Sequence, residues 1–241
     1  MKIEKFSFND LYDRFENAYG SQGWWPLYDI KKEKSVYEGR LPRRSVDRFE
    51  IAVGAVLTQS VAWTNVEKAL SSLKNRCMLH PEAILSAPHD DVASLIKPVG
   101  YFNQKTIKLK ELAAWFLDRG VKTSSLKKLS TDDFRQELLA VKGVGPETAD
   151  SILLYAYDVK SFVVDAYTNR ILSRIGLIGE NVKYEAVRQL FHDKFKGEKE
   201  EYRQYHAFFV VHGKEYCRKR PLCESCFLQN RCMFAQSLGR L

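Results

Sequence analysis

The chain has 241 residues, 45% of them hydrophobic, enough to bury one large core or two small ones. Its formal net charge of +8 suits a polyanionic partner such as nucleic acid or a membrane surface, although many basic proteins bind neither. Met1 to Phe6 hold no apolar signal-peptide core, and no stretch reaches the roughly 18 uninterrupted apolar residues of a membrane span, so a cytoplasmic protein without a membrane partner is expected.

In chain order, residues 7–19 read as a polar-capped helix that Gly20 ends. Gly23-Trp24-Trp25-Pro26 follows. Adjacent tryptophans cannot share one face of a helix or strand, and Pro26 biases Trp25 toward an extended backbone. At least one indole must therefore meet a neighbouring element or a cleft, as core packing or as an aromatic wall for a flat ligand. Lys31 to Arg48 is charged and irregular, with Arg40, Arg43, Arg44 and Arg48 available either to solvent or to phosphate.

From Ser45 the helical period is clear, with Phe49, Ala52, Val53, Val56 and Leu57 on one stripe that stops at Thr58-Gln59-Ser60. A helix over about 62–75 carries Trp63 in its first turn, His80-Pro81 opens another, and Asp90-Asp91 a fourth. Gly100-Tyr101-Phe102-Asn103 predicts a turn that exposes aromatics. Leu109, Leu112, Ala113 and Phe116 place one apolar side on a helix from Gln104 to Leu117, stopped by Gly120.

Ser130-Thr131-Asp132-Asp133 caps the first helix of a hairpin whose turn is Val141-Lys142-Gly143-Val144-Gly145. Pro146 suits a first-turn position of the second helix, and Ala149, Ile152, Leu153 and Ala156 repeat the apolar period. A Gly-x-Gly turn before a helix exposes backbone N–H groups where the dipole favours an anion, although two glycines can equally just close an αα-hairpin. Further helices are predicted at about 166–175, 183–195 and 201–212. The one strand-like run, Phe162-Val163-Val164, is too short to seed a sheet, so the chain reads as all-α.

Cys77 stands alone, whereas Cys217, Cys223, Cys226 and Cys232 lie within 16 residues, a metal-like grouping in a chain of a reducing compartment. Zinc sites usually pair two Cys-x-x-Cys knuckles. Here one Cys-x-x-Cys is flanked by five-residue gaps, which leaves both [4Fe–4S] and zinc open. Either would be structural, closed by four thiolates. Arg218, Lys219 and Arg220 within the loop suit DNA phosphates or simply solvent.

The Leu139 to Asp150 hairpin, Val164-Asp165, Val211-His212-Gly213-Lys214-Glu215-Tyr216-Cys217 and the cysteine loop, in that order, resemble the endonuclease III (helix-hairpin-helix) superfamily of DNA glycosylases over roughly residues 45 to 235. The resemblance implies a six-helix domain over 41–158, with the helix-hairpin-helix at about 131–157, and a second helical domain from 1–40 plus 159–241 that ends in the 217–232 metal loop, with a DNA-binding cleft between. It makes that loop a [4Fe–4S] site, with a first gap one residue shorter than the family's. Gly143 and Gly145, flanked by Lys142, become the phosphate grip.

On the same resemblance Asp165 is the catalytic carboxylate, able to stabilise the oxocarbenium-like charge on the deoxyribose and to steer a water onto C1′; read structurally it is an N-cap aspartate. Glu147 occupies the position where bifunctional members carry a Schiff-base lysine, so base release without β-lyase activity is expected. Gly23-Trp24-Trp25-Pro26, Val56-Leu57-Thr58-Gln59 and Gly100 to Lys105 resemble the 3-methyladenine DNA glycosylase branch. Trp24, Trp25 and Trp63 would then stack on a flipped N-alkylated purine, and Gln59 and Tyr101 would fill the hole left in the duplex. The five histidines show no pairing in sequence that points to acid–base work. Expected is a monomer acting on double-stranded DNA with damaged bases. The alternatives are a glycosylase for oxidised, deaminated or mismatched bases, or a non-catalytic iron–sulfur DNA-binding module.

Overall fold

A computed structural model describes residues 5–120, 123–126 and 128–239, so Met1 to Glu4 of the N-terminal reading lie outside the described residues. In chain order the helices are α1 (Phe8–Tyr19), α2 (Ser45–Leu57), α3 (Trp63–Asn75), α4 (Pro81–Ser86), α5 (His89–Leu95), α6 (Phe102–Trp115), α7 (Thr123–Leu126), α8 (Thr131–Leu139), α9 (Pro146–Ser151), α10 (Ala166–Ile175), α11 (Tyr184–Lys194), α12 (Lys199–Glu215) and α13 (Met233–Ser237). α6 and α9 each run on through one wider turn, Phe116–Gly120 and Ile152–Ala156. Two short strands, β1 (Leu27–Asp29) and β2 (Lys34–Val36), pair antiparallel.

The fold class is helical as expected, and the local signals act where the sequence puts them. Ser7 Oγ accepts from the Asp10 N–H and Gly20 closes α1 with φ 61°. Ser130 Oγ does the same for Asp133 N–H at α8. β2 falls in the Lys31 to Arg48 stretch read as irregular and β1 just before it; three residues per strand leave too little alternation to detect. Phe162-Val163-Val164 is buried and extended but not paired as a strand.

Contacts divide the chain into two compact units, Met1–Gln22 with Ser161–Leu241, and Gly23–Lys160. Residues 23–40 thus group with the hairpin-bearing helices and not, as the sequence suggests, with the C-terminal ones. The cause is the β-hairpin, which packs on α2 and α3. Glu50 of α2, buried, accepts the Tyr28 N–H at 2.6 Å and pairs with Lys74 of α3 at 2.6 Å.

In the Gly23–Lys160 unit α2 is the centre. Every residue from Phe49 to Leu57 is buried, so the apolar stripe widens to the whole circumference, as a helix wrapped by others requires. α8 and α9 close the hairpin around a buried bidentate pair: Arg135 Nε and Nη2 donate to the two Asp150 carboxylate oxygens at 2.9 and 3.0 Å. The unit of residues 1–22 and 161–241 is built on α12, whose Tyr205, Phe208 and Phe209 meet Phe15 of α1 and whose Tyr205 and Phe209 also meet Phe162, itself stacked on Phe191 at 3.4 Å. Tyr205 OH donates to Phe8 O at 2.8 Å, fastening α1.

Candidate active site, hairpin and cysteine pocket

Asp165 is the N-cap of α10, reached through the buried Phe162-Val163-Val164 segment. Its Oδ1 accepts from both the backbone N–H (2.7 Å) and the hydroxyl (2.9 Å) of Thr168. Two donors on one oxygen fix the carboxylate and leave Oδ2 directed toward His206 Nε2 at 3.8 Å, beyond hydrogen-bond reach. Burial lowers the pKa of His206, with Asp165 opposing, so the imidazole is neutral near pH 7. The N-cap reading of Asp165 is met through Oδ1, and Oδ2 stands outside the cap. The approach of His206 to Asp165 is not visible in sequence, because His206 sits within the apolar pattern of α12.

At the hairpin, Gly143 adopts φ 90°, and a Cβ there would collide with the Lys108 stem; only glycine fits. A Cβ on Gly145 would meet nothing, so its freedom is that of open approach. No acceptor for either glycine N–H is found among the described residues. Lys142 is exposed, and so is Glu147 in the first turn of α9.

Gln59 is placed differently from a free wedge. Its Nε2 donates to Gly143 O at 3.2 Å and Thr148 Oγ1 at 2.9 Å, and its Oε1 accepts from Lys108 Nζ at 2.6 Å. It braces the hairpin turn. Tyr101, by contrast, is 82% exposed and left-handed (φ 45°, ψ 30°) at the start of α6. Lys105, the last residue of the Gly100 to Lys105 segment, is buried and donates to three carbonyls, and burial together with Lys108 pushes its pKa down to about 8.

The three tryptophans come together. Trp25 is buried, edge-on to Trp63 at 5.4 Å, near Tyr155 at 5.1 Å, and packed on Gly54. Half-buried Trp24 lies edge-on to it at 6.1 Å, and half-buried Trp63 is held by its Nε1 on Ser35 Oγ at 3.3 Å. Trp25 therefore backs the cluster, while Trp24 and Trp63 retain accessible surface. An open cavity of about 620 Å³ in the same unit is lined by Trp25, Glu50, Lys74, Arg40 and Arg44, with neither Trp24 nor Trp63 in its wall.

Cys217, Cys223, Cys226 and Cys232 line one small cavity with Arg174, His212 and apolar side chains of α10. Burial, followed by the neighbouring thiols, pushes the Cys226 pKa up to about 11, a penalty that a bound cation would reverse. Among the described residues no three His, Cys, Asp or Glu side chains converge tightly enough to hold a single ion. The loop is held from α10. Arg174 Nη1 reaches Cys217 Sγ at 3.4 Å and Arg218 O at 2.6 Å, and Arg170 Nε donates to Cys217 O at 2.8 Å. His212 accepts Tyr19 OH or donates to it at 2.8 Å through Nδ1 and places Nε2 3.6 Å from Cys226 Sγ.

Residues 53–196 match the family described as HhH-GPD superfamily base excision DNA repair protein. A putative DNA repair glycosylase of Methanocaldococcus jannaschii is 39% identical over 97% of this chain and 99% of its own length. Endonuclease III of Thermotoga maritima is 28% identical over 83% of this chain and 91% of its own. Among solved structures, a non-covalent endonuclease III–DNA complex aligns with TM-score 0.72 at 19% identity, covering 97% of both chains. An H. pylori 3-methyladenine DNA glycosylase bound to 1,N6-ethenoadenine aligns at 0.66 and 22%, covering 87% of this chain and 98% of that one. These two likenesses are of fold. No helix among the described residues is long and apolar enough to cross a membrane.

Proposed function

The chain belongs to the HhH-GPD superfamily of base excision DNA repair proteins, and from that premise we propose a monofunctional DNA glycosylase that hydrolyses the N-glycosidic bond of a flipped, N-alkylated purine such as 3-methyladenine. The observation that carries the reaction type is a fixed carboxylate, Asp165, in a chain whose hairpin helix offers a carboxylate and not an amine at Glu147. As the bond to the base breaks, positive charge grows on the deoxyribose. The Asp165 carboxylate, fixed through Oδ1 by the Thr168 contacts and not neutralised by His206, stabilises it through Oδ2. The bonding pair stays with the cationic purine, which departs as the neutral base, and water adds at C1′ and releases its proton to solvent, leaving an abasic site. Without an amine nucleophile no Schiff base forms, so the strand stays intact.

The substrate class rests on the tryptophans. A cationic purine stacks favourably on an indole face, by about 1 kcal/mol or more when desolvated, and its charge already makes it a good leaving group, so no general acid is required. Gly143, Gly145 and Lys142 would grip phosphate, Tyr101 would enter the vacated space, and Gln59 would keep the turn in shape. The protein would act as a cytoplasmic monomer on double-stranded DNA.

The donor chemistry of the cysteine pocket, four thiols of which Cys223 is buried and the other three half-buried, beside a guanidinium and an imidazole, fits a [4Fe–4S] cluster held by Cys217, Cys223, Cys226 and Cys232. When bound it supplies a cross-link for the loop and no chemistry to the base. Visible charge-transfer absorption with iron and sulfide present in stoichiometric amounts is expected; a colourless protein with one zinc would replace the cluster by zinc.

A panel of duplexes bearing 3-methyladenine, uracil, 8-oxoguanine and thymine glycol tests the substrate. Release of 3-methyladenine without borohydride-trappable adduct supports the proposal. Release of only the other bases assigns an oxidised- or deaminated-base enzyme, and no release with intact DNA binding assigns a binding module.

A further inference from the structure

We propose that Lys105 is a positioning residue for base extrusion, tying the segment that bears Gln59 to the turn that bears Tyr101, while Lys108 carries the same network onto the phosphate-gripping hairpin. The inference rests on the glycosylase function and goes beyond it in naming what couples phosphate grip to insertion.

Lys105 Nζ donates to Leu57 O at 2.8 Å, Gln59 O at 3.0 Å and Val99 O at 3.2 Å. Each of the three ammonium protons has a carbonyl, and no carboxylate pairs with Lys105 among the described residues. Burying an ammonium without a counter-ion is costly, and an aliphatic side chain would fill the same space at less expense. What only the ammonium can do is hold carbonyls from two segments at one point. Leu57 O ends α2, where a cation is favoured by the dipole and the last carbonyls lack partners. Val99 O belongs to the turn that immediately precedes Gly100 and Tyr101.

The turn held this way is strained. Tyr101 keeps a left-handed backbone while its ring stands in solvent, an arrangement that persists only where the surroundings impose it. One helical turn after Lys105, Lys108 presses its stem on Gly143 and donates to Gln59 Oε1, whose amide returns to Gly143 O and Thr148 Oγ1. A continuous set of contacts therefore runs from the exposed tyrosine through Lys105, Gln59 and Lys108 to the hairpin glycine. A phosphate drawn onto the Gly143 turn then finds Tyr101 already held in place, with no ordering cost left at the moment of insertion.

The test uses Lys105→Met, Lys105→Arg and Lys108→Met in the full-length protein. Two duplexes are compared, one undamaged and one with a tetrahydrofuran abasic analogue beside 2-aminopurine, whose fluorescence rises on unstacking. Because unstacking costs a few kcal/mol, Lys105→Met is expected to lose about tenfold or more of the preference for the abasic duplex and most of the fluorescence rise, with binding to undamaged duplex within about twofold. Lys105→Arg should regain part of both, since it keeps the charge without three convergent protons, and Lys108→Met should show the same loss to a smaller degree. Lys105→Met with unchanged preference, or with equal loss on both duplexes, overturns the proposal. If Lys105→Met does not fold, an unchanged preference in Lys108→Met overturns it. A wild-type protein that shows neither preference nor fluorescence rise contradicts the glycosylase function itself, a different outcome from failure of the lysine network.

Discussion

Replacing Asp165 by asparagine isolates the carboxylate charge. The amide oxygen of asparagine can accept the same two Thr168 donors that Asp165 Oδ1 accepts at 2.7 and 2.9 Å, and the two residues rank alike as N-caps, so stability should change by less than about 0.5 kcal/mol. What disappears is the interaction with the developing sugar cation. At a separation of about 4 Å and an effective dielectric of about 20, two unit charges interact by about 4 kcal/mol. Loss of that stabilisation in the transition state lowers the rate roughly a thousandfold. Single-turnover base release from a 3-methyladenine duplex, with thermal unfolding and duplex binding measured alongside, reads all three quantities. Release within about tenfold of wild type, on a protein of unchanged stability and affinity, would refute the assignment of the charge to Asp165. Asp165→Ala serves as the contrast, since it should lose about 1 kcal/mol of stability through the cap as well.

Arg135→Met should destabilise the protein by about 3–5 kcal/mol in urea unfolding, because Asp150 is left buried without its bidentate partner; a change below about 1 kcal/mol would mean that the hairpin is held otherwise. Gly143→Ala, at φ 90° and against the Lys108 stem, should cost about 1–3 kcal/mol and weaken duplex binding equally for all sequences, as measured by titration at fixed salt. His206 contributes to acid sensitivity. Its folded value lies below the usual one near 6.5, so the unfolded chain takes up a proton that the folded chain withholds. Its contribution to stability is full above that value and declines as pH falls below it; His206→Gln should flatten the slope of unfolding free energy against pH in that window, and an unchanged slope would place the titration elsewhere.

The legible features were those whose partners lie within a turn or two along the chain. Ser7 and Ser130 cap because an oxygen meets an N–H three residues on, and Gly143 is required because the turn itself demands its conformation. The apolar period of α2 located the helix but not its full burial, since Glu50 and Ile51 are enclosed by elements far away in sequence. Gln59 reads in sequence as a candidate for the hole in the duplex or as helix-end packing; its contacts to Gly143, Thr148 and Lys108, none nearer than about fifty positions, make it a brace of the hairpin turn. His206 stands within the apolar pattern of α12 and Lys105 at the end of the Gly100 to Lys105 segment, but neither position in sequence tells which distant groups the buried side chain meets.

From the sequence alone came the helices and their caps, the glycine turn, the carboxylate that follows it and the four clustered thiols, because short-range hydrogen bonding, steric demand and spacing act over a few residues. Only the tertiary structure decided that residues 23–40 join the hairpin-bearing unit, that Asp165 faces a neutral histidine, and that one buried ammonium holds two segments. Burial sets those facts. It removes water from groups that are distant along the chain, and so converts an ordinary lysine or histidine into one whose charge and partners its own neighbours in sequence cannot specify.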